Sequence, residues 1–206
     1  MQRRVSTSGR ISKPSAVGYS VIELVFVLGI SVTVAAAAIP QLLTGIDEWR
    51  TAGAAQYVSA RFQRARMEAV LRSASVAVLF TKDATGYSYA VYADGNGNGV
   101  LSRDIQRGVD RRIAAVERLS EQFTGVDFGT IAGLPAIDGG GTPPGSDPIR
   151  LGAANCATFA AAGTSSSGTV YVRGRGGAQY AVRIFGDTGK VRRLRFDRAV
   201  WQWKPM

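Results

Sequence analysis

The longest apolar stretch of the chain runs from Tyr19 to Ile39, and Glu23 is its only charged residue. These 21 residues would form a helix of roughly 31 Å, which is enough to cross the hydrocarbon core of a bilayer. A carboxylate inside such a segment costs at least about 2.5 kcal/mol, so an intramembrane acid usually has a partner and a purpose. Cleavage after Gly18 would create an α-amino group at Tyr19, which is a positive charge at the same depth.

A second helical pattern follows Pro40. Its apolar stripe comprises Val58, Phe62, Ala65 and Ala69. This spacing places the four side chains on one face of an amphipathic helix. The two patterns together predict one helix from about Tyr19 to Arg72, bent near Pro40 because proline removes a backbone donor.

The remainder of the chain shows the short patterns of strands separated by turns. The candidate strands are 75–80, 87–92, 111–119, 123–128, 169–173, 179–185 and 191–196. Residues 132–148, rich in glycine and proline, are predicted to form a long, mobile loop. No helix-period segment separates the strands, so the sheet is predicted to be antiparallel.

Charge is distributed unevenly along the chain, which has 25 basic and 15 acidic residues. Residues 1–18 are basic with no acid, and a basic leader beside an apolar span places the N-terminus in the cytoplasm. The C-terminal domain would then lie outside the cytoplasmic membrane, in the periplasm of a cell with two membranes. Residues 171–206 hold nine basic residues against two acids, so the far end of the domain is also basic.

The composition argues against catalysis. The chain has no histidine and a single cysteine, Cys156, so an intrachain disulfide and a thiol metal cluster are excluded, and the commonest general base is missing. The hydroxyl cluster at 164–167 has no paired base that would make it nucleophilic. We therefore expect no enzymatic activity.

The segment G-Y-S-V-I-E-L, from Gly18 to Leu24, resembles the core motif of type IV prepilins. The resemblance implies cleavage after Gly18 by a prepilin peptidase, N-methylation of Tyr19, and assembly with other pilins or pseudopilins on a membrane platform. It also implies that Glu23 accepts the charge of an N-terminal amine, its own or a neighbour's. Pro40 falls where these proteins commonly carry a helix-bending proline.

Four later segments narrow the resemblance to the GspH/FimT group of minor pseudopilins and minor pilins. They are RARMEAVLRSASVAVLF, VYADGNGNGV, FAAAGTSSSGTVYV and GDTGKVRRLRFD. The implied fold is α+β, with a long transmembrane and stalk helix packed on an antiparallel β-sandwich. The implied division is a leader at 1–18, a membrane and filament-core helix at 19–40, an amphipathic half at 41–73 and a β-domain at 74–206.

The function implied is that of a structural subunit of a type II secretion pseudopilus or type IV pilus, acting in protein secretion from the inner membrane. One alternative is a DNA-binding minor pilin used in DNA uptake. Another is a membrane-anchored structural protein unconnected with secretion.

The DNA alternative depends on the segment GKVRRLRF. In the FimT branch a G-R-x-R element of the last hairpin is associated with DNA capture, and Gly189, Lys190 and Arg192 match it with Lys in place of the first Arg. Lysine keeps the charge but loses the bidentate geometry. Arg193 and Arg195 add two further candidate phosphate contacts. The competing interpretation is a solvated strand face.

The segment DGNGNG matches the first half of a calcium-binding loop. Asp94, Asn96 and Asn98 supply oxygen at alternate positions, but Ile105 occupies the place of the expected bidentate Glu. Asp104, one residue earlier, could substitute only with altered geometry. Repeated Asn-Gly pairs also form turns by themselves, so calcium and a plain turn both remain open.

Overall fold

The computed structural model describes residues 18–138, 141–152 and 154–206, and the predicted leader at 1–18 therefore lies almost wholly outside the described residues. The chain divides into two units at Leu42 and Leu43, which are described separately below. Helix α1 is Val21–Arg72 and contributes to both units. Pro40 lies within its bounds, and the bend predicted there stays a prediction.

In the first unit, Gly18–Ser20 precede the helix and all described side chains of α1 up to Leu42 are exposed. Ser20 caps the first turn, because its Oγ accepts a hydrogen bond from the Ile22 N–H at 3.3 Å. By length and composition α1 can span a membrane, and the apolar window responsible lies near the N-terminus.

In the second unit, α1 buries the stripe that the sequence pattern predicts. Val58, Phe62, Ala65 and Ala69 are at most 2% exposed. The helix ends at Arg72 because Ser73 adopts a left-handed φ of 51°. The Ala74 N–H then turns back to donate to the Ala69 carbonyl at 3.2 Å, which closes the last turn.

Among the residues that the structure describes after α1, eleven strands and two short helices are present. The helices are α2 (Ser102–Gln106) and α3 (Leu119–Gln122). The strands are β1 (Val76–Asp83), β2 (Gly86–Ala93), β3 (Arg111–Arg112), β4 (Glu117–Arg118), β5 (Val126–Phe128), β6 (Ile149–Arg150), β7 (Cys156–Phe159), β8 (Gly168–Gly174), β9 (Gln179–Phe185), β10 (Lys190–Asp197) and β11 (Gln202–Pro205).

The strands form two sheets in which every pairing is antiparallel. The first has the order β3-β2-β1-β7, and β4 also pairs with β2. The second has the order β11-β10-β9-β8-β5, and β6 also pairs with β8. The predicted α+β class, with a long N-terminal helix followed by antiparallel sheets, is confirmed.

One hydrophobic core joins the amphipathic half of α1 to both sheets. Phe62 contacts Phe80 of β1 and Phe159 of β7, with ring centroids 6.3 Å and 6.2 Å away. Phe80 in turn meets the ring of Phe128 in β5 edge-on at 5.3 Å. Aromatic contacts of this kind tie the two sheets together on the side that the helix covers.

The opposite face of the second sheet carries a smaller core. Tyr171, Ala181 and Leu194 pack there against Ile131 and Leu134 of the segment that follows β5. The predicted loop 132–148 therefore has its N-terminal part held on the sheet, while its mobility stays a prediction. Most of β8 and β9 is therefore covered on both faces, whereas Lys190, Arg192 and Arg195 of β10 are exposed.

Candidate functional site

The predicted cleavage position lies in the short non-helical segment before α1. Tyr19 is 86% exposed, and Gly18 has no atom close enough to obstruct an added side chain. A protease needs access to the peptide bond that it cleaves, and this one is not covered by other described residues. The geometry at 18–19 is thus compatible with cleavage, which itself stays a prediction.

Glu23 lies in the first turn of α1 and is exposed. Within the described residues it takes part in no ion pair. The partial positive charge of a helix N-terminus favours an acid at this position, but that effect is worth only about 0.3–1 kcal/mol. It is too small to offset the cost of a carboxylate in lipid, which is at least about 2.5 kcal/mol.

The four candidate DNA-binding residues all lie on β10 but do not share a face. Alternation along a strand places Lys190 and Arg192 on one face, together with the buried Leu194 and Phe196. Arg193 and Arg195 project from the other face, the one toward α1. The predicted alternation is therefore observed, and it divides the basic residues into two pairs.

Arg195 is already engaged. Its Nη2 lies 2.9 Å from Oε1 of Glu48 in α1, which forms an ion pair between helix and strand. Arg192 instead lies over the ring of Phe185, with its guanidinium carbon 5.7 Å from the centroid, and Arg183 covers the same ring at 5.2 Å. Arg183 and Arg192 are direct cross-strand partners on the outer face, and Arg183 also forms an ion pair with Asp138.

The C-terminal tryptophans pack on the sheet rather than standing free. Trp203 lies 5.1 Å from the ring of Phe196 and 5.8 Å from that of Tyr171. Its indole N–H donates to the Pro135 carbonyl at 3.0 Å. Trp201 meets Phe196 edge-on at 5.1 Å. These contacts hold both indoles against the outer face of the second sheet.

The candidate calcium loop is closed by its own hydrogen bonds. Asp94 Oδ1 accepts the N–H groups of Asn96 and Gly97, and its Oδ2 accepts that of Gly99 at 2.7 Å. Burial raises the pKa of Asp94, but these hydrogen bonds outweigh it and hold the pKa below its usual value. The Asn98 side-chain amide donates to Asp104 at 3.0 Å.

No three acidic or sulfur-bearing side chains converge as a metal site within the described residues. Asp110, which the sequence analysis did not single out, completes the loop as a further anchor. It is buried and accepts the N–H groups of Gly95 and Leu101 at 3.1 Å and 2.8 Å. The segment therefore has the bonding of a self-satisfied turn, and calcium at Asp94, Asn96, Asn98 and Asp104 stays a prediction.

A polar cluster that the sequence analysis missed connects α1 to the first sheet. Glu117 of β4 accepts hydrogen bonds from the hydroxyls of Tyr57 and Tyr89 at 2.7 Å and 2.8 Å, and it pairs with Arg61. Burial raises the pKa of Glu117, yet the hydrogen bonds and the guanidinium charge bring the net pKa below its usual range. Burial, with the neighbouring carboxylate, raises the pKa of Tyr89. This cluster holds the helix in place.

Residues 54–189 match the family described as type II transport protein GspH. That range covers most of the chain, including residues 54–72 of α1 and the strands from β1 to β9. The chain belongs to the GspH family.

The GspH family is one of structural pseudopilins rather than enzymes, and it implies association with other pseudopilins in a secretion system. Together with the apolar N-terminal helix, it indicates a membrane-anchored, pseudopilin-like subunit. No curated protein and no solved structure matches the chain significantly.

The GspH match does not reach the two motifs with specific chemistry. It begins after the Gly18–Glu23 segment and ends at Gly189, immediately before β10. Membership in the family therefore supports the fold of the domain and a role in type II secretion. Cleavage, methylation and nucleic-acid binding depend on the residues outside the matched range.

Proposed function

We propose that this chain is a pseudopilin of a type II secretion system, cleaved between Gly18 and Tyr19 by a prepilin peptidase and N-methylated at Tyr19. It is then assembled from the inner membrane into a pseudopilus through the apolar part of α1, with the β-domain in the periplasm. The match to the GspH family supports a role in a type II secretion system. The observation that supports the proposed maturation is that the first part of α1 is apolar and exposed up to Leu42, with one carboxylate, Glu23, in its first turn.

The proposed role of Glu23 follows from electrostatics. A buried carboxylate is tolerated when a cation pairs with it, and losing that partner is costly. Cleavage after Gly18 places a new amine four residues before Glu23. Within the membrane Glu23 accepts the charge of this amine, or that of a neighbouring subunit during assembly, which fixes the axial position of one subunit against the next.

The test is Glu23→Val in the full chain, co-expressed with a type II secretion machine. We expect normal membrane insertion and loss of the subunit from sheared pseudopili, because the variant keeps the apolar span but removes the assembly charge. Ser31→Ala, in the same apolar segment, is the matched control and should assemble normally. Normal incorporation of Glu23→Val would overturn the proposed role.

The DNA-uptake alternative gains less support from the geometry. A duplex contacts phosphates with cations that share one surface, whereas Arg193 and Arg195 lie on the opposite face of β10 from Lys190 and Arg192. A gel shift of the full chain in detergent with duplex DNA at two salt concentrations tests it. Salt-sensitive binding that Arg192→Gln weakens would favour a DNA-binding pilin over the secretion subunit.

A further inference from the structure

A pocket of about 260 Å³ lies between the amphipathic half of α1 and the first sheet. It has a charged wall on the helix and an apolar wall on the sheet. These walls include Arg61, Arg64 and Glu68 on the helix, and Val91, Ile113 and Ala114 on the sheet. The volume is below the roughly 300–1,000 Å³ of sites that enclose drug-sized ligands, so the pocket suits a single side chain.

Arg61 is fixed in the helix wall with one donor left over. Its Nη2 donates to the Tyr57 hydroxyl at 2.5 Å and also pairs with Glu117. Its Nε–H is buried and has no acceptor among the described residues. Because the large majority of buried polar side-chain atoms are hydrogen-bonded, this donor is evidence for an acceptor from outside those residues.

The helix wall carries an excess positive charge. Glu117 neutralises Arg61, and Glu68 accepts a hydrogen bond from Arg72 at 3.0 Å. Arg64 is exposed and forms no ion pair with any described residue. Both carboxylates of this wall are therefore already engaged, and the charge of Arg64 is left over. The complementary ligand is an anion.

The sheet wall adds a second cation. The Ile113 N–H donates to the Val91 carbonyl at 2.8 Å, so the ladder of β2 and β3 continues alongside the pocket. Arg111 lies two residues before Ile113, about 7 Å along the strand and on the same face. It is exposed, and no described residue forms an ion pair with it. An anion in the pocket would thus have cations on both walls.

Exposed apolar side chains continue from Arg64 along the outer side of α1. Met67 is three residues after Arg64 and Leu71 is four residues further, so the three form one stripe on the helix. Met67 is 58% exposed and Leu71 is 73% exposed. A small anion would leave these side chains in water, whereas a protein segment can bury them, which is favourable. The combination favours an acidic residue of a protein.

We propose that this pocket receives an acidic side chain of a partner protein. The carboxylate lies against Arg61 and Arg64, because hydrogen bonds between guanidinium and carboxylate groups are among the strong ones. The methylene stem of the acid lies on the apolar sheet wall, and an apolar residue beside it in the partner covers Met67 and Leu71.

The test follows the arginine Nε–H signals of the full chain in zwitterionic micelles by heteronuclear NMR. The probe is a short blocked peptide with a central glutamate between valine and leucine, and its control carries glutamine instead. We expect the glutamate peptide to shift the Arg61 and Arg64 signals and to bind about tenfold more tightly, because only the carboxylate forms charged hydrogen bonds. Equal binding of the two peptides would overturn the proposal.

Variants of the chain locate the binding. Arg64→Gln should weaken binding of the glutamate peptide by about tenfold, and Leu71→Ala by about threefold because apolar contact is lost. Arg175→Gln changes an exposed arginine of the turn between β8 and β9 that also lacks an ion pair among the described residues. It is the matched control and should bind as the wild type does. Unchanged binding in Arg64→Gln would reject the pocket.

Acetate separates a protein partner from a small anion. It presents the carboxylate without apolar neighbours, so we expect it to bind at least about tenfold more weakly than the glutamate peptide and to be insensitive to Leu71→Ala. Acetate that binds as tightly as the peptide would overturn the assignment to a protein partner.

The pocket uses none of the residues of the Gly18–Glu23 motif, so this proposal and the proposed maturation fail independently. A chain that binds the glutamate peptide but retains its leader keeps the pocket assignment and rejects the maturation. A chain that is cleaved and assembled but does not bind the peptide does the reverse.

Discussion

The two parts of α1 differ in where their apolar side chains find cover. Phe26, in the first part, is 70% exposed, and Phe62, in the second, is fully buried. The first part is apolar on all sides, whereas the second has a single stripe that meets the β-domain. A helix that is apolar all round requires an apolar environment on every side. The comparison therefore indicates that the second part is stabilised by its own chain and that the first requires lipid or other helices.

The largest expected effect on stability comes from making the same Phe→Ala substitution in each part of α1. Phe62→Ala should lower the free energy of unfolding of the β-domain by about 3–5 kcal/mol, because it opens a cavity among Phe80 and Phe159. Phe26→Ala, the matched control, should change it by less than about 0.5 kcal/mol. Denaturant titration of the full chain in detergent, followed by tryptophan fluorescence, measures both. Equal losses in the two variants would contradict the comparison.

The next largest effect on stability is expected from removing the polar contacts that attach the second part of α1 to the first sheet. Glu117→Ala should cost about 1.5–3 kcal/mol, because it removes the acceptor of Tyr57 and Tyr89 and the partner of Arg61. Glu68→Ala removes only the exposed pair with Arg72, and should cost about 0.3–0.5 kcal/mol. A loss for Glu117→Ala no larger than for Glu68→Ala would show that the polar cluster does not fix the helix.

Acidification should weaken the same attachment. The pKa of Glu117 is lower in the folded state than in the unfolded chain, so its contribution is present above the unfolded value of about 4.3 and is lost as the pH falls through the folded value. We therefore expect the melting temperature to decrease when the pH is lowered below about 4. Glu117→Gln should flatten this part of the profile, and an unchanged profile would exclude Glu117 as the titrating group.

The smallest effect is expected from calcium. Because backbone amides already occupy both Asp94 carboxylate oxygens, adding Ca²⁺ should leave the melting temperature unchanged. A rise with Ca²⁺ but not with Mg²⁺, abolished by Asp94→Asn, would instead establish the calcium site at this loop.

The sequence predicts those elements whose pattern is local. The stripe at Val58 and Phe62 and the alternation at Leu194 and Phe196 each follow from periodicity alone. The strands Cys156–Phe159 and Gln202–Pro205 were missed. Their own residues give a weak strand signal, and they form because a neighbouring strand offers an edge.

Contacts between residues that are distant in the sequence could not be predicted either, because no local pattern indicates them. The Arg61–Glu117 pair joins residues 56 positions apart, and no local pattern indicates that a basic residue of a helix will meet an acid of a later strand. The basic residues of β10 were recognised as a cluster, but which of them face α1 depends on how the sheet packs. Sites built across elements, such as the Glu117 cluster, therefore required the structure.

The central claim is that the first part of α1 enters a filament after cleavage that creates a cationic partner for Glu23. Mass spectrometry of the protein isolated from native membranes tests this most directly. We predict a chain that begins at Tyr19 and carries one additional methyl group on its amine. A chain that still contains residues 1–18 would contradict the account.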